Sequence, residues 1–393
     1  MIDRTLIVTS NIDLKNKNIY FNLPTENVTY LPLLNMYILR YYLLPTNNPT
    51  AIPYAINNHD MTYNSYIIRF LNQHTHNVAL NFTSDCEVSL PPTFNLRRYQ
   101  PMAIRPTPTQ ISWCLNQLGI DSKTPFTGKG VSIAVLDTGI DDLHPDFKDR
   151  VSKDNKKSFV GGTYMDGHGH GTHCAGIAAG PAHPKCGIRY GVAPESTLII
   201  GKVLADSGSG TLSGIIEGIE WAASRGAKII SMSLGSPRVS GEKYIEIYEK
   251  VAEQLSKQGV LLVAAAGNES DRRVGRRSCV GNPAACPSIE AVAATDRKAE
   301  VAFFSSAEID DIGQLGGSAP GVDVLSTFAG KGRALYVTMS GTSMSCPHMA
   351  GVYALYRERF PDHSVDSLIT TVHHRMKKLG DRSDYGHGMA YVS

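Results

Sequence analysis

"VSIAVLDTGI", residues 131–140, decides how this chain is folded. Val131 to Leu136 is a nearly unbroken apolar run, too short for a core helix and of strand length. Such a run suits a strand covered on both faces, as in a parallel sheet. It stops at Asp137, followed by Thr138-Gly139. A carboxylate there emerges at a strand's carboxyl end, where open α/β sheets keep their ligands. Taken alone, Asp137 reads equally well as a turn or cap residue.

The same signature recurs at Thr197–Val203, Lys228–Ser233, Val260–Ala265 and Ile289–Thr295. Between these runs, Leu212–Ser224 has an apolar face, and Ile245–Lys257 alternates charged and apolar positions at helical spacing. Strands alternating with helices predict an α/β fold built on a doubly wound, mostly parallel sheet. Ahead of residue 105 the composition differs, being rich in Asn, Tyr and Pro and poor in Ala and Gly. Short β-type runs at Thr5–Val8, Tyr37–Leu43 and Tyr66–Phe70 predict a smaller strand-rich region. "RRYQPMAIRPTPTQ", residues 97–110, reads as an extended Pro-rich connector. The expected division is therefore 1–105 and 106–393.

Bulk properties narrow the functional classes. Only 19% of the 393 residues are charged and the formal net charge is +2. This disfavours nucleic acid or a membrane surface as a partner held through bulk charge. No apolar run approaches the roughly 20 residues of a membrane span. "MIDRTLIVTS" has neither the basic start nor the long apolar core of an export signal, so the reading leans towards an intracellular location. Seven cysteines, an odd and scattered set, do not form a disulfide framework. Cys279 and Cys286 are near enough in sequence to pair, but free thiols are the favoured reading.

Chemistry concentrates in "DGHGHGTHCAG", residues 166–176. Imidazoles and a thiol invite zinc, which makes His168, His170, His173 and Cys174 a candidate metal set. The competing reading needs one histidine as a base, held by one carboxylate and facing one hydroxyl. Ligands crowded around a helix start cannot all converge on one ion, which favours the base. His170, between Gly169 and Gly171, would project from a first helical turn towards Asp137. His168 is read as a solvated loop residue and His173 as core packing. Ser343, in "VTMSGTSMSCPHMAG" (337–351), sits at a predicted helix start with Pro347 in the first turn. Developing negative charge is favoured there. Asn268 ends the run "GVLLVAAAGNES" (259–270), where its amide could donate to an oxyanion.

Four blocks, "AVLDTGI", "GHGTHCAG", "AAAGN" and "GTSMSCPHMAG", resemble the signature blocks of the subtilisin-like serine proteases and occur in that family's order. "GVAPESTLIIGKVL", "GIEWA", "SMSLGS" and "YGHGMAYV" add to the resemblance, which covers roughly residues 112–393. It implies a serine endopeptidase acting through an acyl-enzyme. Ser343 would be the nucleophile, His170 the base, Asp137 its orienting carboxylate and Asn268 the oxyanion donor. It further implies a polypeptide substrate bound as an extended strand between Gly208-Ser209-Gly210 and Ser233-Leu234-Gly235. Ala265, Ala266, Gly267 and Gly281 would shape the S1 pocket, small residues leaving room for a large apolar P1 side chain. Secreted location is the family-based alternative to the intracellular reading.

Departures from the family pattern define further expectations. Asp146 in "HPDF" matches a carboxylate of the family's high-affinity calcium site, yet "GPAHPKCGIRY" (180–190) offers no Asn or Asp oxygen to complete it. That site is expected to be absent or altered, and no cofactor to be required. Arg272, Arg273, Arg276 and Arg277 form a basic loop beside the S1 region, read first as solvated and second as recognising acidic side chains or as a self-cleavage site. Residues 1–105 stand where the family has its inhibitory segment; an intramolecular propeptide and a recognition domain are the two roles weighed. Cys174 and Cys346, close to the triad, predict sensitivity to bulky thiol reagents or mercurials. Acyl transfer to an amine, giving macrocycles, ranks below hydrolysis because no long insertion separates the blocks. A non-catalytic metal-binding module ranks last.

Overall fold

The computed structural model describes residues 2–10, 28–34, 36–43, 80–84, 86–90, 94–99, 110–329 and 335–393. The chain divides into two compact units, Met1–Glu87 with Thr211–Ser213, and Val88–Gly210 with Gly214–Ser393. In the first, β1 (Ile2–Ser10), β2 (Val28–Leu31), β3 (Met36–Leu43) and β4 (Leu80–Ser84) form an antiparallel sheet of order β2-β3-β1-β4. Among the residues whose burial is described, Leu31, Leu34, Met36 and Ile38 are buried and apolar. Two of the predicted runs lie in β1 and β3. The third, Tyr66–Phe70, lies outside the described residues, as do positions 100–109 of the connector.

Two strands lead into the larger unit, β5 (Glu87–Ser89) and β6 (Phe94–Tyr99), so residues 97–99 are strand and not connector. Then follow β7 (Gln110–Ile111), β8 (Ser132–Asp137), β9 (Lys156–Ser158), β10 (Ile188–Arg189), β11 (Thr197–Lys202) and β12 (Ser209–Thr211). The remainder are β13 (Ile229–Met232), β14 (Leu261–Ala265), β15 (Ile289–Thr295), β16 (Gly317–Pro320), β17 (Val324–Thr327) and β18 (Tyr336–Ser340). A seven-stranded parallel sheet of order β16-β15-β14-β13-β8-β11-β9 is the centre of the unit. Every residue of β13, β14 and β15 is buried, which accounts for their unbroken apolar runs. The polar residues in them are Ser231, Glu290 and Thr295, and the charged one, Glu290, is satisfied by the Tyr353 hydroxyl and His373 Nε2, each at 2.8 Å.

The helices are α1 (Trp113–Gln117), α2 (His170–Ala179), α3 (Leu212–Ser224), α4 (Glu246–Lys257), α5 (Thr342–Arg359), α6 (Val365–Arg375) and α7 (Arg382–Tyr385). Among the described residues no helix is long and apolar enough to cross a membrane. All of α2 and nearly all of α5 are buried, and the two pack on each other and on the sheet. Small residues allow this closeness. A Cβ added to Gly171 would lie 2.4 Å from Gly139 O and 2.9 Å from Gly139 N. One at Gly351 would lie 2.5 Å from Val192 Cβ.

Pro347 is not in the first turn of its helix but in the second, five residues beyond Thr342. Without an N–H it leaves the carbonyl of Ser343 free of its helical partner. That carbonyl instead accepts Ser233 Oγ at 2.8 Å and Cys174 Sγ at 3.5 Å. The break in the ladder is thereby converted into ties between α5, α2 and the segment after β13.

Gly171→Ala tests the close approach of α2 to the end of β8. Overpacking against fixed backbone atoms should destabilise the chain by about 1–3 kcal/mol, measured by denaturant unfolding. An unchanged unfolding midpoint would contradict the contact.

Candidate active site

The end of β8 and the start of α2 meet at two buried side chains. His170 Nδ1 lies 2.8 Å from Asp137 Oδ1 and 3.0 Å from Oδ2, with the imidazole fully buried and the carboxylate 1% exposed. A ring that donates its Nδ1 hydrogen to a carboxylate presents Nε2 as an acceptor. Among the described residues, Nε2 is buried and has no hydrogen-bond partner.

Several groups hold this pair in place. Asp137 Oδ1 also accepts Thr138 N at 2.7 Å. Asp166, a buried carboxylate, takes the first turn of α2 in hand. Its Oδ1 accepts Gly169 N (2.7 Å), His168 N (3.0 Å) and Thr138 Oγ1 (2.9 Å), and its Oδ2 accepts Thr172 N (2.8 Å) and Thr172 Oγ1 (2.6 Å). It does the work of a cap that Gly169, with φ at 98°, has no side chain to do. Lys202, paired with Asp137 across β11 and β8, bonds Thr138 O and Asp206 Oδ1, and Asp206 also accepts Gly167 N at 3.0 Å. Lys202 escaped the sequence reading because its partners Thr138 and the Asp137 strand lie on another element, and Asp166 because its four local donors are those of a helix start that Gly169, not Asp166, directly precedes. The one local signal was an aspartate three residues ahead of an uncapped helix start.

Ser343 and Asn268 come to the same end of the sheet. Ser343 Oγ lies 3.5 Å from Ser233 O, a long contact that leaves the hydroxyl free to turn. Asn268 Oδ1 accepts Thr342 N and Thr342 Oγ1, both at 2.9 Å, which orients the amide. Its Nδ2 then faces Gly341, where an added Cβ would sit 3.1 Å away.

The groove walls named from the sequence also lie together, and a strand of this same chain is seated between them. Ser89 N donates to Gly235 O (3.2 Å) and Gly235 N to Ser89 O (3.0 Å), while Leu90 N donates to Gly208 O (3.0 Å). Val88 is buried. Gly208 adopts φ 85°, and a Cβ there would meet Leu90 Cδ1 at 3.3 Å and His168 Nε2 at 3.7 Å. Gly210 is pressed on Val203 O, and Ser209 accepts Ala205 N. Ser233 and Leu234 are buried beside them. Gly281 N donates to Ala266 O at 3.0 Å, next to Ala265 and Gly267. A Cβ on Gly267 would meet Glu269 Oε2 at 2.4 Å. The carboxyl of Glu269, raised above its usual range by burial, is therefore a neighbour of the predicted S1 wall that the sequence reading passed over.

Comparison with known proteins agrees with this architecture. The Peptidase_S8 profile, the Subtilase family, matches residues 128–388. A thermostable alkaline protease of Halalkalibacterium halodurans is 40% identical over 269 residues, 67% of each chain. Subtilisin Savinase of Lederbergia lenta is 38% identical over 67% of this chain and 90% of its own. Subtilisin DY of Bacillus licheniformis is 38% identical over 68% and 91%. The chain belongs to the subtilase family. Its class is that of the serine endopeptidases.

Within this subtilase the other predicted features fare unequally. His168 is half-buried at the groove edge and not in a solvated loop; its ring lies 6.2 Å from that of His170, and burial holds its pKa below the ordinary value. His173 packs as expected, its Nε2 at 3.1 Å from Val324 O and its pKa lowered by burial to about 3. Its ring thus serves backbone carbonyls. Among the described residues, the ligand atoms that cluster are those of Asp137, His170 and Cys174, a different set from the proposed zinc ligands. In the basic loop, Arg272 and Arg277 pair with Asp384 and Arg273 pairs with Asp271, so three of the four arginines are engaged. All seven cysteines are free.

Cys174 Sγ lies 3.8 Å from His170 Nδ1. Burial, then the Asp137 carboxylate, pushes its thiol well above the usual value. A buried neutral thiol resists bulky alkylating reagents, so of the two reagent classes named from the sequence the mercurials are the ones expected to act. Mercuric ion, small and soft, should still inactivate the wild type. Cys174→Ser should resist it, and maleimide should leave native activity intact. Rapid maleimide inactivation would contradict the burial.

Proposed function

We propose that this subtilase hydrolyses peptide bonds through an acyl-enzyme formed on Ser343. The Asp137–His170 contact carries the reading: a buried imidazole whose Nδ1 is committed to a carboxylate, and whose Nε2 has no partner among the described residues, is poised to take a proton. Ser343 attacks the scissile carbonyl and gives its proton to His170 Nε2. The imidazolium formed is stabilised by Asp137 and later protonates the leaving amine. Asn268 Nδ2, with the backbone N–H of Ser343 at the start of α5, receives the oxyanion. Water then releases the acyl group by the same steps in reverse. The Ser343 side chain has to turn from Ser233 O towards Nε2, a rearrangement common when substrate completes an active site.

The occupied groove supports a second element of the proposal. A polypeptide substrate binds as Ser89 and Leu90 do, by main-chain bonds to Gly235 and Gly208. In the full-length chain these residues hold the groove as an intramolecular, propeptide-like strand that substrate must displace.

A serine-directed fluorophosphonate probe tests the nucleophile. Folded wild type should be labelled and Ser343→Ala should not; an unlabelled folded wild type would overturn the reading. Ser89→Pro removes the N–H given to Gly235 and should speed labelling several-fold. Equal rates in both chains would mean that Val88–Leu90 does not limit access.

A further inference from the structure

The family resemblance gives Asp146 a calcium ion to bind. Calcium takes six to eight oxygen ligands, whereas both oxygens of Asp146 here face hydrogen-bond donors. Oδ2 accepts the hydroxyls of Tyr190 (2.6 Å) and Tyr336 (2.9 Å), and Oδ1 accepts Lys185 N at 2.9 Å. Each donor turns the positive end of its dipole to the place a cation would take. The carboxylate is 4% exposed, and the guanidinium of Arg150, bonded to Ala179 O and Pro194 O, lies close enough to contribute balancing charge. The residues present do not fit the ion.

We infer that a latch made only of protein, in which Tyr190 and Tyr336 donate to Asp146, stands in place of the family's calcium site and sets the rigidity of the strand that delivers the nucleophile. Three segments meet at it. Tyr190 closes the 180–190 stretch, whose strand β10 pairs with β7. Asp146 belongs to the turn after β8, where His144 accepts Asp146 N through Nδ1 and bonds Leu335 O through Nε2. Tyr336 opens β18, which ends at Ser340, three residues before Ser343. The two phenol rings lie 6.2 Å apart, edge to face, and His144 stands edge-on to Tyr336 at 5.1 Å. The latch thus joins the stretch paired with β7, the turn beyond Asp137 and the approach to Ser343. In a calcium site the ion would be released by a chelator; here there is nothing to remove.

The test is thermal unfolding of the full-length Ser343→Ala chain, which cannot digest itself, in excess chelator and in millimolar calcium. The midpoint should be the same in both. In that background Tyr190→Phe and Tyr336→Phe should each lower it by roughly 3–8 °C, the scale expected for losing a hydrogen bond to a buried charge. Tyr190→Phe should cost less once Asp146 is Asn, because the two changes remove the same interaction. Isothermal titration with calcium should give no heat beyond dilution at the latch. A midpoint that falls in chelator and returns with calcium would overturn the inference. So would phenylalanine variants as stable as their parent. If a variant fails to fold, the chelator and titration arms on the parent chain still decide. Neither readout depends on peptide hydrolysis, so failure of the latch and failure of the proposed activity are separable.

Discussion

Everything at the catalytic end of this subtilase depends on how closely α2 can approach the end of β8. Asp137 and His170 meet at 2.8 Å only because nothing larger than hydrogen occupies position 171, where a Cβ would strike the backbone of Gly139. The approach takes a carboxylate and an imidazole out of water together. Burying either alone would cost several kcal/mol; paired, each satisfies the other. Asp166 then does for the backbone what Asp137 does for the imidazole, gathering five donors from the helix start and from Thr138. The first turn of α2 is in this way fixed from two sides, and the His170 ring inherits its orientation from both.

Much of this was legible in the sequence, for a physical reason. A strand covered on both faces has no solvent side to be polar, so β8, β11, β13, β14 and β15 announce themselves as continuous apolar runs. Leu212–Ser224 was read with the bounds that α3 has, since its apolar face is contiguous. The sheet's outer strands were not seen. β9 is Lys-Lys-Ser and β16 is Gly-Ser-Ala-Pro, neither of which carries an apolar run or an alternation. Asp137, His170, Ser343 and Asn268 stood out because each lies at or close to the end of a legible element, with a glycine within two residues. The groove's own strand did not, because Ser89 and Leu90 are held through main-chain atoms that every residue possesses.

Side-chain acceptors with distant partners were the least visible features. Asp166 depends on Thr138, 28 residues away, Asp146 on Tyr190 and Tyr336, 44 and 190 residues away, and Glu290 on Tyr353, 63 residues away. No periodicity links such positions, so only the folded chain brings the donors into view. The departure at 180–190 was nevertheless readable as a lack of oxygen ligands. What replaces them, two phenols and a backbone N–H, is evident only once β18 is laid beside that stretch.

These buried carboxylates share one constraint that explains why the site tolerates so much charge out of water. A carboxylate can accept about four hydrogen bonds, and a buried acceptor left unmade costs about 1–3 kcal/mol. Asp137, Asp146, Asp166 and Glu290 therefore sit where two or more elements can each contribute a donor, and each carboxylate becomes a joint between those elements. His170 Nε2 departs from the pattern, being buried and, among the described residues, unpartnered. Cys174, a neutral thiol, stands 3.8 Å from Nδ1 of the same ring, and the half-buried His168 beside it has its positive form disfavoured. A buried acceptor left unsatisfied costs free energy, so the ring is drawn to any hydroxyl that reaches it, which is the property the proposed reaction needs of His170.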